Sequence, residues 1–248
     1  MYKQTKAEST SPISIYSCFE SVSTIDLSNL SDKEINDFLS KSSCVFLCRF
    51  ISADIKDKIR NHNINENELV KYIVHNKAWV DMTQSERFKH SSTVKANRTA
   101  IEDKLLNELR TNKAAIISDF DNWHERMCGD TSYGMRYGLW QKLINITFKY
   151  IFSLYICAGY FKDVEKIKNA LHCPVDSIIA EKLIGVADEL GVSLSAAERD
   201  LFERIATSAG GGWNNITPAE YKDFQKVVKR ICKTLNLSSK LYVDIIFW

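Results

Sequence analysis

Residues 138 to 158 read Gly-Leu-Trp-Gln-Lys-Leu-Ile-Asn-Ile-Thr-Phe-Lys-Tyr-Ile-Phe-Ser-Leu-Tyr-Ile-Cys-Ala. No Pro interrupts the run, and Leu143, Ile144, Ile146, Ile151, Leu154 and Tyr155 supply apolar faces at helical spacing, which predicts one long helix. Lys142, Asn145 and Lys149 lie three and four residues apart, so they share a narrow polar stripe on it. The most apolar part of the region, Tyr150 to Phe161, is only 12 residues long and ends at Lys162-Asp163. A membrane span needs about 20 apolar residues, so this reads as a buried core helix, and no membrane partner is expected.

Upstream, Gly129 to Gly138 (GDTSYGMRYG) holds three of the chain's nine glycines and marks a loop. Further back, Asn65 to Val80 repeats apolar residues at helical spacing, and residues 95 to 127 predict one or two helices divided near Thr111-Asn112. Cys44 to Ser52 suits a strand or a buried helix, and Ser31 to Glu34 has capping-box spacing for a helix over 32 to 41. Downstream, a short helix is predicted near 163 to 171, followed by His172-Cys173-Pro174-Val175-Asp176 and a helix to Leu190. Pro174 suits a first helical position, which would put Asp176 in the first turn. Ala209 to Gly212 marks another loop, and Thr217-Pro218-Ala219-Glu220 opens a last long helix to about Leu235.

Composition agrees with this helical reading. Nine Gly and three Pro in 248 residues are too few for an all-β chain, which needs a turn signal about every 8 to 12 residues. Hydrophobic residues make up 45% of the chain, enough for a packed core. We therefore expect a mainly α protein: a partly ordered arm over residues 1 to 30, packing through Ile13, Ile15, Tyr16 and Phe19, then one helical domain over 31 to 248, with scope for two lobes. It is read as a monomer. Met1 to Ser14 lacks the continuous apolar core of a secretory signal, so a cytoplasmic location is expected.

The seven Cys are odd in number and lack a CxxC pair, which fits reduced, buried structural thiols. Cys44, Cys48, His124 and Cys128 share a helical spacing, but tetrahedral zinc sites use tighter pairs, so no metal is assigned. The net charge of +2 does not point to a partner, but two segments are basic: Arg87 to Lys113 and Lys222 to Lys240. Each could neutralise phosphates or be a solvated helix face.

A Gly-containing loop, a Lys at the start of the next helix and an Asp at a later Pro-containing helix start together have a chemical use. A Lys amine in a water-poor cleft sheds its proton more readily and can attack an electrophilic carbon to form a Schiff base. A neighbouring carboxylate stabilises the positive charge that develops as a glycosidic bond breaks, and assists proton transfer.

The run Tyr137-Gly138-Leu139-Trp140-Gln141-Lys142-Leu143-Ile144-Asn145, with Phe148-Lys149-Tyr150 and His172-Cys173-Pro174-Val175-Asp176-Ser177, resembles the helix-hairpin-helix DNA glycosylase superfamily. It is closest to the 8-oxoguanine-glycosylase-like bacterial branch. The resemblance covers residues 130 to 235 as a pattern, and its specific part is confined to the two quoted segments. It implies a helix-hairpin-helix glycosylase-like bundle acting on double-stranded DNA that carries a modified base, with no cofactor. Lys142 would be the Schiff-base nucleophile, with Lys149 as the reserve, and Asp176 the essential carboxylate. If neither Lys acts, Asp176 would support a monofunctional enzyme that uses water.

Gly134, Gly138, Lys149 and His172 are the expected DNA contacts, and Tyr137, Trp140 and Trp213 the candidate walls of a base pocket. The substrate would be an oxidised purine, in repair, or a bulky phage-type modified pyrimidine, in antiviral defence. Three departures stand beside this. The hairpin reads Gly138-Leu139-Trp140 where the family has Gly-x-Gly, the interval from Lys142 to Asp176 is a long 34 residues, and no iron-sulfur Cys cluster is present. A non-catalytic helical DNA-binding protein and a helical protein-interaction module are the competing readings.

Overall fold

The computed structural model describes residues 14–15, 23–24, 34, 37, 40–43, 47, 49–83, 92–207 and 209–247. The chain is mainly α. Two short strands, β1 (Ser14–Ile15) and β2 (Ser23–Thr24), pair antiparallel, with Ser14 opposite Thr24. The expected packing of Ile13, Tyr16 and Phe19, the Ser31 cap, Cys44, Cys48, Arg87 and Lys89 lie outside the described residues. Within the 44–52 run, Leu47, Arg49 and Phe50 are helical.

Helix α1 spans Ala53–Arg60 and α2 Glu66–Ile73. A capping box starts α2: the Asn65 side chain accepts from the Glu68 amide while Glu68 accepts from the Asn65 amide. A π-helical turn, Val74–Ala78, joins α2 directly to α3 (Trp79–Thr83). Such turns insert an extra residue and rotate the downstream helix, here turning the face that bears Asp81.

Helices α4 (Ser92–Ala96), α5 (Arg98–Thr111), α6 (Lys113–Ser118) and α7 (Phe120–Cys128) come next along the chain. The expected break at Asn112 is present. Two more fall at Asn97 and Asp119, and the Asp119 side chain caps α7 by accepting from the Asn122 amide.

Helix α8, Tyr137–Ala158, is the long helix anticipated from the sequence, and it is buried on nearly all sides: every residue from Gly138 to Leu154 is inside. Lys142, Asn145 and Lys149 therefore form an interior polar stripe, not a solvated one. The region expected as a helix near 163 to 171 is a 3₁₀ segment, Lys162–Ile167, entered through Phe161 at φ 55°.

Residues 172–176 are also not as expected. Pro174 lies in an extended segment, not at a first helical position, and Asp176 is the N-cap of α9 (Ser177–Glu189). The physical reason lies in the neighbours, because two buried glutamines hold this segment extended by bonding its peptide groups. Gln225 accepts from the Cys173 amide at 3.2 Å and donates to its carbonyl at 2.7 Å. Gln141 does the same for Val175 at 3.1 Å in both directions.

Helix α10 (Ala196–Ala206) has a Ser195–Glu198 capping box, and a 3₁₀ segment spans Ala209–Asn215. Helix α11 (Pro218–Thr234) starts as expected, with Pro218 in its first turn and a Thr217–Glu220 capping box. Helix α12 (Lys240–Phe247) is buried at every residue after Lys240. One apolar cluster runs through the described residues from Leu47 to Phe247, with Trp140, Tyr150 and Phe152 near its centre on α8. Cys128, Cys173 and Cys232 are free and buried. Cys157 is disulfide-bonded, which corrects the expectation that all seven thiols are reduced.

Candidate active site

The stripe on α8 opens on one side into a cavity of about 240 Å³, lined by Asp81, Lys142, Ile146, Lys149, Asp176, Trp213 and Asp244 among others. Lys142 Nζ stands 3.6 Å from Asp176 Oδ2, and both side chains are about nine-tenths buried. The other Asp176 oxygen, Oδ1, accepts from the Ile179 amide at 2.9 Å. One oxygen thus fixes the carboxylate to the start of α9, where the helix end favours negative charge, and leaves the second facing the lysine.

Lys142 also lies under the Trp213 ring, 4.2 Å from its centroid, an arrangement that attracts a cation by about 0.5 to 2 kcal/mol. Gly138, one turn before Lys142 on the same face, explains how Trp213 gets there. A Cβ at Gly138 would stand 2.1 Å from the Trp213 carbonyl oxygen, so only glycine admits this approach of the 209–215 segment to α8.

Two turns further along α8, Lys149 Nζ is 2.6 Å from Asp244 Oδ2, and this pair is also buried. Burial pushes the Asp244 carboxyl above the usual range, and Lys149 partly offsets it. Asp81 completes the wall. Burial raises its carboxyl too, and the Tyr150 hydroxyl donates to it at 3.1 Å. The cavity therefore holds two lysines against three aspartates in a largely apolar enclosure.

A second polar group lies on an adjacent face of α8. His172 contacts Asp121 Oδ1 through Nε2 at 2.7 Å and the Tyr221 hydroxyl through Nδ1 at 2.8 Å. Asn145 donates to the Tyr221 oxygen at 2.9 Å, and its carbonyl oxygen lies 3.1 Å from His124 Nε2. The partners define the tautomers: His172 and His124 carry their protons on Nε2, and the Tyr221 hydroxyl donates to His172 Nδ1. Burial lowers both imidazoles below their ordinary 6.5 and so favours these neutral forms.

This network forms one side of a cavity of about 340 Å³ whose other lining includes Lys222, Lys226, Lys229 and Lys240. Lys222 pairs with Glu125 and Lys226 with Asp223, whereas Lys229 and Lys240 have no ion-pair partner among the described residues. In the other basic segment, Arg98 pairs with Glu102, Lys104 with Asp130 and Lys113 with Asp163, so much of its charge is already compensated.

The structure brings Lys142, Lys149, Asp176 and Trp213 together in one cavity. His172 and Tyr137 line the lysine-rich cavity instead. Trp140 is fully buried and donates from its indole N–H to the Asp130 carbonyl at 2.7 Å, tying the 129–136 loop to α8; it lines neither cavity. Gly134 is exposed in that loop at φ 75°, whereas Gly138 is buried. Asp81, Asp244 and Gln141 escaped the sequence reading. A lone acid inside Leu-Tyr-Val-Asp-Ile-Ile-Phe and another inside Trp-Val-Asp-Met were the available signals, because a charge in an apolar run needs a buried partner.

A third cavity of about 320 Å³, lined by Val70, Ile116, Phe148 and Phe161 among others, contains neither the Lys142–Asp176 nor the Lys149–Asp244 pair. Among the described residues, no cluster of three or more His, Cys, Asp or Glu is placed to hold a metal, and no helix is long and apolar enough to cross a membrane. No family model matches the chain, and no curated protein or solved structure does either.

Proposed function

We propose that this protein is a DNA glycosylase that flips a modified base out of double-stranded DNA and excises it, with Lys142 as nucleophile and Asp176 as the essential carboxylate. The supporting observation is the buried approach of Lys142 to Asp176, at 3.6 Å beside an accessible cavity. Flipping follows from reach, since no side chain can attack the sugar C1′ of a nucleotide stacked inside the duplex.

In this reading Asp176 Oδ2 takes a proton from the Lys142 ammonium, and the neutral amine attacks C1′. The Nζ–C1′ bond forms as the bond from C1′ to the base nitrogen breaks. The electron pair leaves with the base, which takes up the proton held on Asp176 Oδ2 and so restores the carboxylate. Opening of the sugar ring at O4′ then converts the aminal into a protonated imine. The carboxylate also faces the positive charge that develops at C1′. Trp213 and Ile146 exclude water from one side. Asp81 and the Lys149–Asp244 pair offer donors and acceptors to the edge of the extruded base.

Helix α11 presents Lys222, Lys226 and Lys229 at one-turn spacing, with Lys240 beside them, as a face for the DNA phosphates. The α7–loop–α8 unit, with the exposed Gly134 at its turn, would be the hairpin of a helix-hairpin-helix protein.

The test is alkali cleavage of end-labelled duplexes bearing oxidised, alkylated, deaminated or glucosylated bases after incubation with the protein. An alkali-labile site at one modified base, lost in Asp176→Asn, is the expected result and names the base class. DNA binding without cleavage on every duplex would overturn the enzymatic reading.

A further inference from the structure

The two residues of the proposed centre sit on different elements, and Lys142 reaches Asp176 only if α8 and the extended segment before α9 keep a fixed register. Gln141 is adjacent in sequence to Lys142, and Val175 is adjacent to Asp176. The Gln141 amide is fully buried and every polar position on it is used. Its Nε2 donates to the Gly138 carbonyl at 3.0 Å and to the Val175 carbonyl at 3.1 Å. Its Oε1 accepts from the Val175 amide at 3.1 Å and from Asn145 Nδ2 at 3.2 Å.

Towards Val175 this side chain behaves as a neighbouring strand would, bonding both the N–H and the C=O of one residue. The bond back to Gly138 holds it to its own helix, and the bond from Asn145 joins it to the Tyr221–His172 network.

Resting on the glycosylase reading above, we infer that Gln141 is a positioning residue that sets the Lys142–Asp176 distance by clamping Val175 to the helix that carries the nucleophile. The segment provides its own control. Gln225 is also buried and makes the same two-way clamp on Cys173, two residues further from Asp176 than Val175 is. Loss of either amide strands buried peptide groups, so both substitutions should destabilise the fold, Gln141 the more because it also bonds Gly138 and Asn145. Only loss of Gln141 should move the chemistry.

The experiment compares Gln141→Met and Gln225→Met in the full chain. Three quantities are read: the melting temperature, the affinity for the substrate duplex against the single-turnover rate of base release, and the acylation rate of Lys142 by an amine-selective reagent, followed by mass spectrometry. Both variants are expected to lose melting temperature. Gln141→Met should lose about 100-fold in single-turnover rate at nearly unchanged DNA affinity, as misplacement of about 1 Å does, while Gln225→Met loses less than about tenfold. Lys142 should acylate about threefold faster in Gln141→Met, because a weakened ion pair shields it less, and at the wild-type rate in Gln225→Met.

Equal rate losses in the two variants, or unchanged Lys142 acylation in Gln141→Met, would overturn the inference. If the wild-type protein released no base from any duplex, the glycosylase reading would fail, and acylation alone would decide whether Gln141 sets the Lys142–Asp176 pair. Should Gln141→Met not fold, Gln141→Glu, which keeps an acceptor for the Val175 amide and loses both donors, is read by the same criteria.

Discussion

Gly138 and Trp213 meet backbone to backbone, so closely that a single methyl group at residue 138 would overlap the Trp213 carbonyl at 2.1 Å. This contact seats the Trp213 ring over Lys142 one turn further along α8. Gly138→Ala should therefore force the 209–215 segment away from α8. A loss of about 3 kcal/mol is expected from urea unfolding, the upper end of ordinary overpacking, because backbone and not a flexible side chain must move. Stability within about 0.5 kcal/mol of wild type, the range of a neutral surface change, would show that the segment yields freely.

The Lys149–Asp244 pair makes a different prediction. Both groups are buried, so removing one leaves the other charge uncompensated. Lys149→Met and Asp244→Leu should each cost about 3 to 5 kcal/mol. The double variant should cost clearly less than the sum, since two apolar side chains replace the pair. A double-mutant cycle by chemical denaturation checks this, and strictly additive losses would contradict a coupled pair.

Acid should weaken the His172 network. Burial, the largest effect on His172, lowers its folded-state pKa below the ordinary 6.5, although Asp121 pulls the other way and Lys240 adds to the lowering. The folded state therefore holds fewer protons than the unfolded state. This contribution is fully present above pH 6.5 and is lost as pH falls through the folded-state value. The stability advantage of wild type over His172→Gln should accordingly be largest near pH 8 and shrink towards pH 5. Urea midpoints at several pH values would show it, and an advantage that grows on acidification would contradict the assignment.

A surface ion pair responds in the same direction at lower pH. Arg126 holds the Glu108 carboxyl down at about 2, with help from Trp123 and Asn112. Its folded-state pKa is below the ordinary 4.5, so its contribution is present above pH 4.5 and lost between there and about pH 2. Glu108→Gln should reduce stability at pH 7 by up to about 1 kcal/mol, as exposed pairs do, and the gap should close in acid. Denaturation of both proteins at pH 7 and pH 3 measures this.

The periodicity of residues 138 to 158 was enough to locate α8 and to set Lys142 and Lys149 on one stripe, because apolar spacing along a helix is written locally in the chain. The burial of that stripe was not legible, since it depends on Asp176 and Asp244 arriving from distant elements. Pro174 shows the same limit. Its ring suits a first helical turn, but two glutamine amides satisfy the peptide groups on either side of it and keep the segment extended. Asp176 could be picked out as a helix-start carboxylate, and its role as N-cap follows from that extension. Trp140 and Trp213 looked alike beside their glycines, and only packing separates the one that closes the core from the one that walls the cavity.

Reduction with borohydride during reaction tests the central claim most directly, because it captures the protonated imine that only an amine nucleophile forms. With the duplex that yields an alkali-labile site, the account predicts a stable protein–DNA adduct in wild type, absent from Lys142→Ala and retained in Lys149→Ala. No adduct with any duplex, or an adduct that survives Lys142→Ala, would contradict it.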